Sequence, residues 1–246
     1  MNIGIIGTGS IGSTLAEKLS NAGHQIKVNN TQDFAELSNI AEQLGAKAAT
    51  IGDVVKDVEA IILCIPFSAY KDLPKDLFRD VPQEVVIMDT SNYSPLRDGE
   101  LAGLEGITES EYISEILGRP VVKVFNMAWA YTLKHQGKAA GEKGRIAISI
   151  ASDNDEHKRL AAELVDQIGF DSVDGGGLSL SWRQEPGTPA FCTELNVEEL
   201  KEALNEAEKG TAPAIRDYTI DQLMKADPPL SYEQAVALMR YGSSKI

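Results

Sequence analysis

The chain opens with a run that admits few folds. Met1 to Ile6 is short and apolar, and Gly7-Thr8-Gly9-Ser10-Ile11-Gly12 follows at once. From Ser13 to Ala22, Leu15, Ala16, Leu19 and Ala22 recur with helical spacing until Gly23 stops them. Strand, G-x-G-x-x-G and helix in direct succession are the beginning of a dinucleotide-binding βαβ unit. Gly7 allows the tight turn, Gly9 lets a pyrophosphate approach the backbone, and Gly12 lets the helix pack close to the sheet. The unpaired N–H groups and the dipole at the helix start favour that anion. Glycines in this spacing also make merely structural turns; the flanking strand and helix favour the binding reading.

The alternation continues. Strands are expected at Gln25–Asn29, Lys47–Thr50, the apolar run Ala60–Ile65 ended by Pro66, Glu84–Met88, Val121–Phe125, Arg145–Ala151 and Ser172–Asp174. Helices are expected at Phe34–Leu44, Ser110–Leu117 and Asp155–Ile168, the last capped by Asp153 or Asn154, with a short helical turn over Ile51–Lys56. Continuous apolar strands between amphipathic helices predict a parallel sheet covered on both faces. Past residue 180 only helical patterns remain: Val197–Glu208, Ala214–Lys225 and Tyr232–Tyr241. Two regions are therefore expected, 1–180 carrying the nucleotide fold and 181–246 forming a small helical extension for an acceptor site or dimerisation. Gly175-Gly176-Gly177 reads as a flexible connector between them.

Composition narrows the function. The 246 residues carry 23 Lys and Arg against 37 Asp and Glu, a net charge of −14. That balance argues against a chain that grips nucleic acid or an anionic membrane through a basic face. Two cysteines cannot form a disulfide framework, and no apolar run approaches the roughly 18 residues of a membrane span. The N-terminus lacks the basic stretch of a signal peptide, so a cytoplasmic protein is expected.

The end of the second strand separates the two nicotinamide cofactors. An NAD reader places Asp or Glu there to bond the ribose diol. Here the sequence is Val28-Asn29-Asn30-Thr31-Gln32-Asp33. Asn30, Thr31 and Gln32 are neutral donors for a 2′-phosphate, so NADP is the expected cofactor. NAD stays open, and Asp33 is the residue that would reverse the preference.

Four segments in order carry a family resemblance: Gly7–Gly12, Cys64-Ile65-Pro66-Phe67, Val121-Val122-Lys123-Val124-Phe125-Asn126, and Gly169-Phe170-Asp171-Ser172-Val173-Asp174-Gly175. Over roughly residues 1–190 the chain resembles the NADP oxidoreductases that use the deazaflavin coenzyme F(420). The resemblance implies an α/β fold, a Rossmann-type doubly wound and mostly parallel sheet with a small C-terminal region, usually homodimeric. It implies hydride transfer between NADPH and a deazaflavin or flavin-like acceptor. By position it makes Thr8, Gly9, Ser10 and Ile11 the phosphate loop and puts Asn30, Thr31 and Gln32 at the 2′-phosphate. Ile65, Pro66, Asp89 and Thr90 would lie beside the ribose and nicotinamide, and Asn126, Met127 and Ala128 would face the nicotinamide. Family members often have an arginine near Gln32, and this chain has none there.

Hydride transfer between bound rings needs alignment more than acid–base groups, so the absence of an evident catalytic dyad is compatible with this chemistry. No catalytic residue is named. His24 reads as a turn residue, His157 as a solvent-face residue among Asp155, Glu156 and Lys158, and His135 as structural or near an acceptor. Cys64 reads as a packed, inert thiol. Trp129 and Trp182 are placed to stack on a ring or to pack an interface. No metal-ligand spacing occurs. Two other functions stay open: a dinucleotide sensor with a protein partner and no catalysis, and an NADP-dependent dehydrogenase or reductase of a small carbonyl or imine.

Overall fold

The computed structural model describes residues 1–100, 103–104 and 106–242. Eight strands form one sheet: β1 Asn2–Ile6, β2 Gln25–Asn29, β3 Lys47–Ala48, β4 Ala60–Leu63, β5 Val86–Asp89, β6 Val121–Lys123, β7 Ala147–Ala151 and β8 Asp171–Gly176. Their order is β3-β2-β1-β4-β5-β6-β7-β8. The first six run parallel, β7 lies antiparallel to β6, and β8 is parallel to β7. This is the expected doubly wound, mostly parallel Rossmann-type sheet, with its last β-α-β unit reversed.

Nine helices accompany the sheet among the described residues: α1 Ser10–Asn21, α2 Phe34–Gln43, α3 Pro95–Asp98, α4 Glu109–Leu117, α5 Ala130–His135, α6 Asp155–Gln167, α7 Val197–Glu206, α8 Ala212–Lys225 and α9 Tyr232–Gly242. Successive strand residues point to opposite faces, and this sorts the apolar side chains into two cores. Ile3, Ile5, Ile62 and Val122 pack with Leu15 and Leu19 of α1 and Leu164 of α6. Ile6, Ile61, Leu63 and Val121 pack on the other face with Phe67, Tyr70 and Ile113. Both faces being covered is the reason these strands read as unbroken apolar runs.

Three expectations change. Helix α1 begins at Ser10, not Ser13, because the Ser13 N–H already bonds the Gly9 carbonyl. The triple glycine is no connector: Gly175 and Gly176 belong to β8, and a Cβ on Gly175 would press on Ser149 and Gln184. His157 is buried rather than solvent-facing. It shares the inner face of α6 with Ala161, Leu164 and Val165, and burial, then the Arg119 charge, lower its pKa. No helix among the described residues is long and apolar enough to cross a membrane.

Candidate functional site

A cleft of about 630 Å³ opens where β1, β2 and β4 end. These are carboxyl ends of parallel strands, the edge at which open α/β sheets bind ligands. One wall is the glycine loop. Gly7 has φ +99°, and a Cβ there would strike the Cys64 carbonyl; a Cβ on Gly12 would strike the Gly7 carbonyl. Gly9 differs, since a Cβ on it would meet no protein atom within 4 Å. The backbone at Gly9 therefore faces the cleft across free space. Gly7 and Gly12 answer to packing, and Gly9 answers to whatever enters.

The helix that starts there is electrically unfinished. Helices α2, α4, α6 and α7 each carry a side-chain cap, from Asp33, Thr108, Asn154 and Asn196, and acidic residues in their first turns. Helix α1 has Gly9 at its N-cap, no side-chain cap and no acid in its first turn. Its free amides and positive dipole end are open to an anion. Ser10, Ile11 and Gly12 form this first turn. Thr8 is braced from both sides: its hydroxyl accepts from Asn30 Nδ2 at 2.6 Å, and its carbonyl accepts from Ser13 Oγ at 2.8 Å.

Asn30, Thr31 and Gln32 line the cleft's outer end, and Ile65 and Pro66 the opposite wall. The sequence did not point to the rest of that wall. Ala69, Asp72, Leu73 and Pro74 come from the 3-10 turn Phe67–Asp72 and the loop after it, a stretch without strand or helix periodicity. Asn30 is committed internally: its Nδ2 also donates to Gln32 Oε1, and its Oδ1 accepts from the Gln32 N–H. Asp33 does not line the cleft, because its Oδ1 accepts from the Ala35 and Glu36 N–H groups and caps α2. Cys64 lies at the cleft floor. Burial pushes its thiol up to about 12, against a hydrogen bond from Thr90, which keeps it protonated and inert.

Of the residues expected beside the ribose and nicotinamide, Ile65 and Pro66 line this cleft, and Asp89, Thr90, Asn126, Met127 and Ala128 do not. Asn126 is buried; its Nδ2 donates to Asn92 Oδ1 at 2.9 Å and to the Gln184 carbonyl at 2.8 Å. Gln184 in turn donates to Asn126 Oδ1 and accepts from Ser149 Oγ. Phe125, just before Asn126, holds φ +65°, a region non-glycine residues enter only when their surroundings dictate it. Met127 is buried against Ser149, its sulfur accepting from the Ser149 N–H, and Ala128 packs at the core's edge. Thr90 donates to the Leu63 carbonyl. Trp129 Nε1 donates to the Cys192 carbonyl, so its ring is tied into the fold.

Asp89, expected beside the ligand, lies at the centre of a buried charge cluster. Its carboxylate accepts from Tyr70 Oη, the Ser91 N–H and hydroxyl, and Ser110 Oγ, all within 2.8 Å. Lys123 Nζ lies 3.2 Å from Asp89 Oδ2 and 3.4 Å from Glu109 Oε2, and it donates to the Ser91 carbonyl. Lys123 and Asp89 are fully buried. Burial alone would raise the Asp89 pKa, but Lys123 and the serine donors outweigh it and hold the carboxyl below its usual range. The Lys123 ammonium is held charged in the same way: its three carboxylate neighbours outweigh the burial. Glu109 goes the other way, pushed to about 8 by burial and by the neighbouring Glu185. A lysine inside the apolar run Val121–Phe125 was the sequence signal for this cluster.

With this geometry in view, residues 2–93 match the family described as NADP oxidoreductase, coenzyme F420-dependent. The resemblance read from the sequence holds over this stretch, which contains the glycine loop and both walls of the cleft. The Escherichia coli (strain K12) protein YjhV is 34% identical over 80 residues, covering 32% of this chain. The chain spans 58% of the length of that curated relative. Among solved structures, a hypothetical protein from Sinorhizobium meliloti is 28% identical with a TM-score of 0.67, covering 80% of this chain and 95% of that one. A protein from Arthrobacter sp. FB24 described as a candidate F420-dependent NADP-reductase has a TM-score of 0.58 at 21% identity, covering 74% of this chain and 87% of its own, a likeness of fold.

Proposed function

We propose that this chain is a nicotinamide-dinucleotide oxidoreductase that passes a hydride between NAD(P)(H) and a small flat acceptor of the flavin or deazaflavin kind. One observation carries the reading: the uncapped, acid-free start of α1, with empty space over Gly9, forms a wall of a 630 Å³ cleft. A cleft of that size suits a nucleotide. The dinucleotide fits the residues present, since a side chain at Gly9 would fill the diphosphate's place. The bound nicotinamide supplies the hydride; the protein supplies grip and orientation.

In this reading the amides of α1 hold the diphosphate, while Asn30 braces Thr8 and so fixes the loop's shape before the ligand arrives. Ile65, Pro66, Leu73 and Pro74 give the adenosine half an apolar slot and exclude water from it. The locked Asn126–Gln184 pair, held beside the strained Phe125, gives the C-terminal end of β6 a fixed backbone against which a ring can be aligned. The family name of residues 2–93 supports the redox class. The free thiols of Cys64 and Cys192 suit a reducing cytoplasm, and Met224, exposed on α8, offers apolar surface for a homodimer.

Calorimetric titration with NADH and NADPH, followed by stopped-flow mixing of the reduced complex with flavin, deazaflavin and quinone acceptors, tests the proposal. Gly9→Val should abolish binding of both nucleotides while the melting curve stays within about 2 °C of wild type, because a Cβ there meets no protein atom within 4 Å. Normal binding by Gly9→Val refutes the loop assignment. Tight binding without turnover of any acceptor would identify a sensor instead.

A further inference from the structure

We propose that the outer end of the cleft reads a bare ribose, so that this chain binds NADH more tightly than NADPH, with Asp72 setting the preference. The inference rests on the dinucleotide reading above and sharpens it to one cofactor, reversing the preference read from the neutral side chains after β2.

A 2′-phosphate carries between one and two negative charges at neutral pH, and proteins hold such groups with arginine, lysine or unspent backbone amides. At its outer end the described residues that line the cleft offer no arginine or lysine. No Lys, Arg or His is among the described residues that line it, and Asp72 is the one acidic residue there. Lys71 and Lys75 flank the segment in sequence without lining the cleft. The nearest helix start, that of α2, is already closed: Asp33 takes the Ala35 and Glu36 amides, and Glu36 adds a carboxylate to the first turn. Asn30 has spent its amide on Thr8 and Gln32. What remains for a phosphate is the Thr31 N–H and hydroxyl and the Gln32 side-chain amide, with no cation beside them and Asp72 on the facing wall.

The same groups suit an unmodified ribose. Its hydroxyls are donors, and a carboxylate is a pure acceptor that binds them at no cost in repulsion. Asp72 enters from the wall opposite the β2 end, on the 3-10 turn that follows Pro66, so it supplies the acid that Asp33, turned into its own helix, does not.

Calorimetry on the full-length protein and on Asp72→Asn and Gln32→Arg, with NADH and NADPH at low and moderate salt, tests this. The wild type should bind NADH about tenfold more tightly than NADPH, a gap of roughly 1.4 kcal/mol. Asp72→Asn should close much of the gap, by strengthening NADPH and weakening NADH. Gln32→Arg should strengthen NADPH about tenfold, with a gain that salt erodes, and leave NADH unmoved. Wild-type binding of NADPH equal to or tighter than that of NADH overturns the inference while leaving the dinucleotide reading intact. An unchanged ratio in Asp72→Asn removes Asp72 from its role. Folded wild type that binds neither nucleotide refutes both.

Discussion

Replacing Lys123 with Met measures how far the buried charge cluster holds this end of the sheet together. The ammonium is fully buried, 3.2 Å from Asp89 and 3.4 Å from Glu109, and it donates to the Ser91 carbonyl. Methionine matches most of the stem, so the perturbation is chiefly electrostatic: Asp89, Glu109 and Glu185 lose the cation they share. Removing one partner of a buried ion pair costs about 3–5 kcal/mol. At about 2–4 °C per kcal/mol for a chain of this size, the melting temperature should fall by roughly 6–20 °C near pH 7.5. The sign with pH separates charge from packing. In the wild type the Asp89 carboxyl is held low, so its contribution is present above the ordinary carboxylate range and is lost as pH falls through the folded value. In Lys123→Met only the serine donors are left to oppose burial, so the same carboxyl rises above its wild-type value and the variant loses the stability that the wild type gains as pH rises. The gap between the two proteins should therefore widen between pH 5 and pH 8, followed by circular dichroism melts. A gap under about 3 °C, or one of equal size at both pH values, would refute the reasoning.

Two further outcomes follow from the same chemistry. Glu109, pushed to about 8 in the fold, lies above its ordinary value of 4.5, so its contribution is complete below about pH 4.5 and is lost as pH rises through 8; Glu109→Gln should flatten that decline in melts run between pH 4.5 and 8. Cys64, with its thiol pushed to about 12, should resist a disulfide reagent at pH 8 in the native protein and react at once in denaturant; rapid native labelling at Cys64 would show that the cleft floor is open.

The parts of this molecule that follow a period were legible in the sequence. Strands β1, β4 and β7 are buried on both faces, so each announces itself as an apolar run, and α1 is framed by Gly9 and Gly23. His157 was obscured by its charged neighbours in sequence, although its spacing from Ala161, Leu164 and Val165 places it on the helix's inner face. The reversed β7 was not legible, since an apolar run carries no direction. The far wall of the cleft was hidden for a different reason. Residues 69–74 hold their place by packing beneath β4 and β5, not by any local periodicity, so their place in the cleft wall could be found only once the chain was folded.

That division has a physical origin, and it bears on how this site is built. The glycine loop needs backbone atoms alone: its grip comes from N–H groups and a dipole that any βαβ unit of this shape provides, so the residue pattern suffices to recognise it. The proposed discrimination at the ribose would draw on Asn30, Gln32 and Asp72, which belong to two separated segments, Asn30 and Gln32 being hydrogen-bonded to each other and Asp33 to its own helix. Asn30 and Asp33 carry the donor and acceptor groups that a sequence reading assigns to the ligand, yet in the fold both are spent on the protein itself. Asp72, which no motif marks, is the one left facing the cleft. The glycine-loop half of the cleft is thus written in the chain locally, and the polar character of its outer end arises only from which of these groups folding leaves unspent.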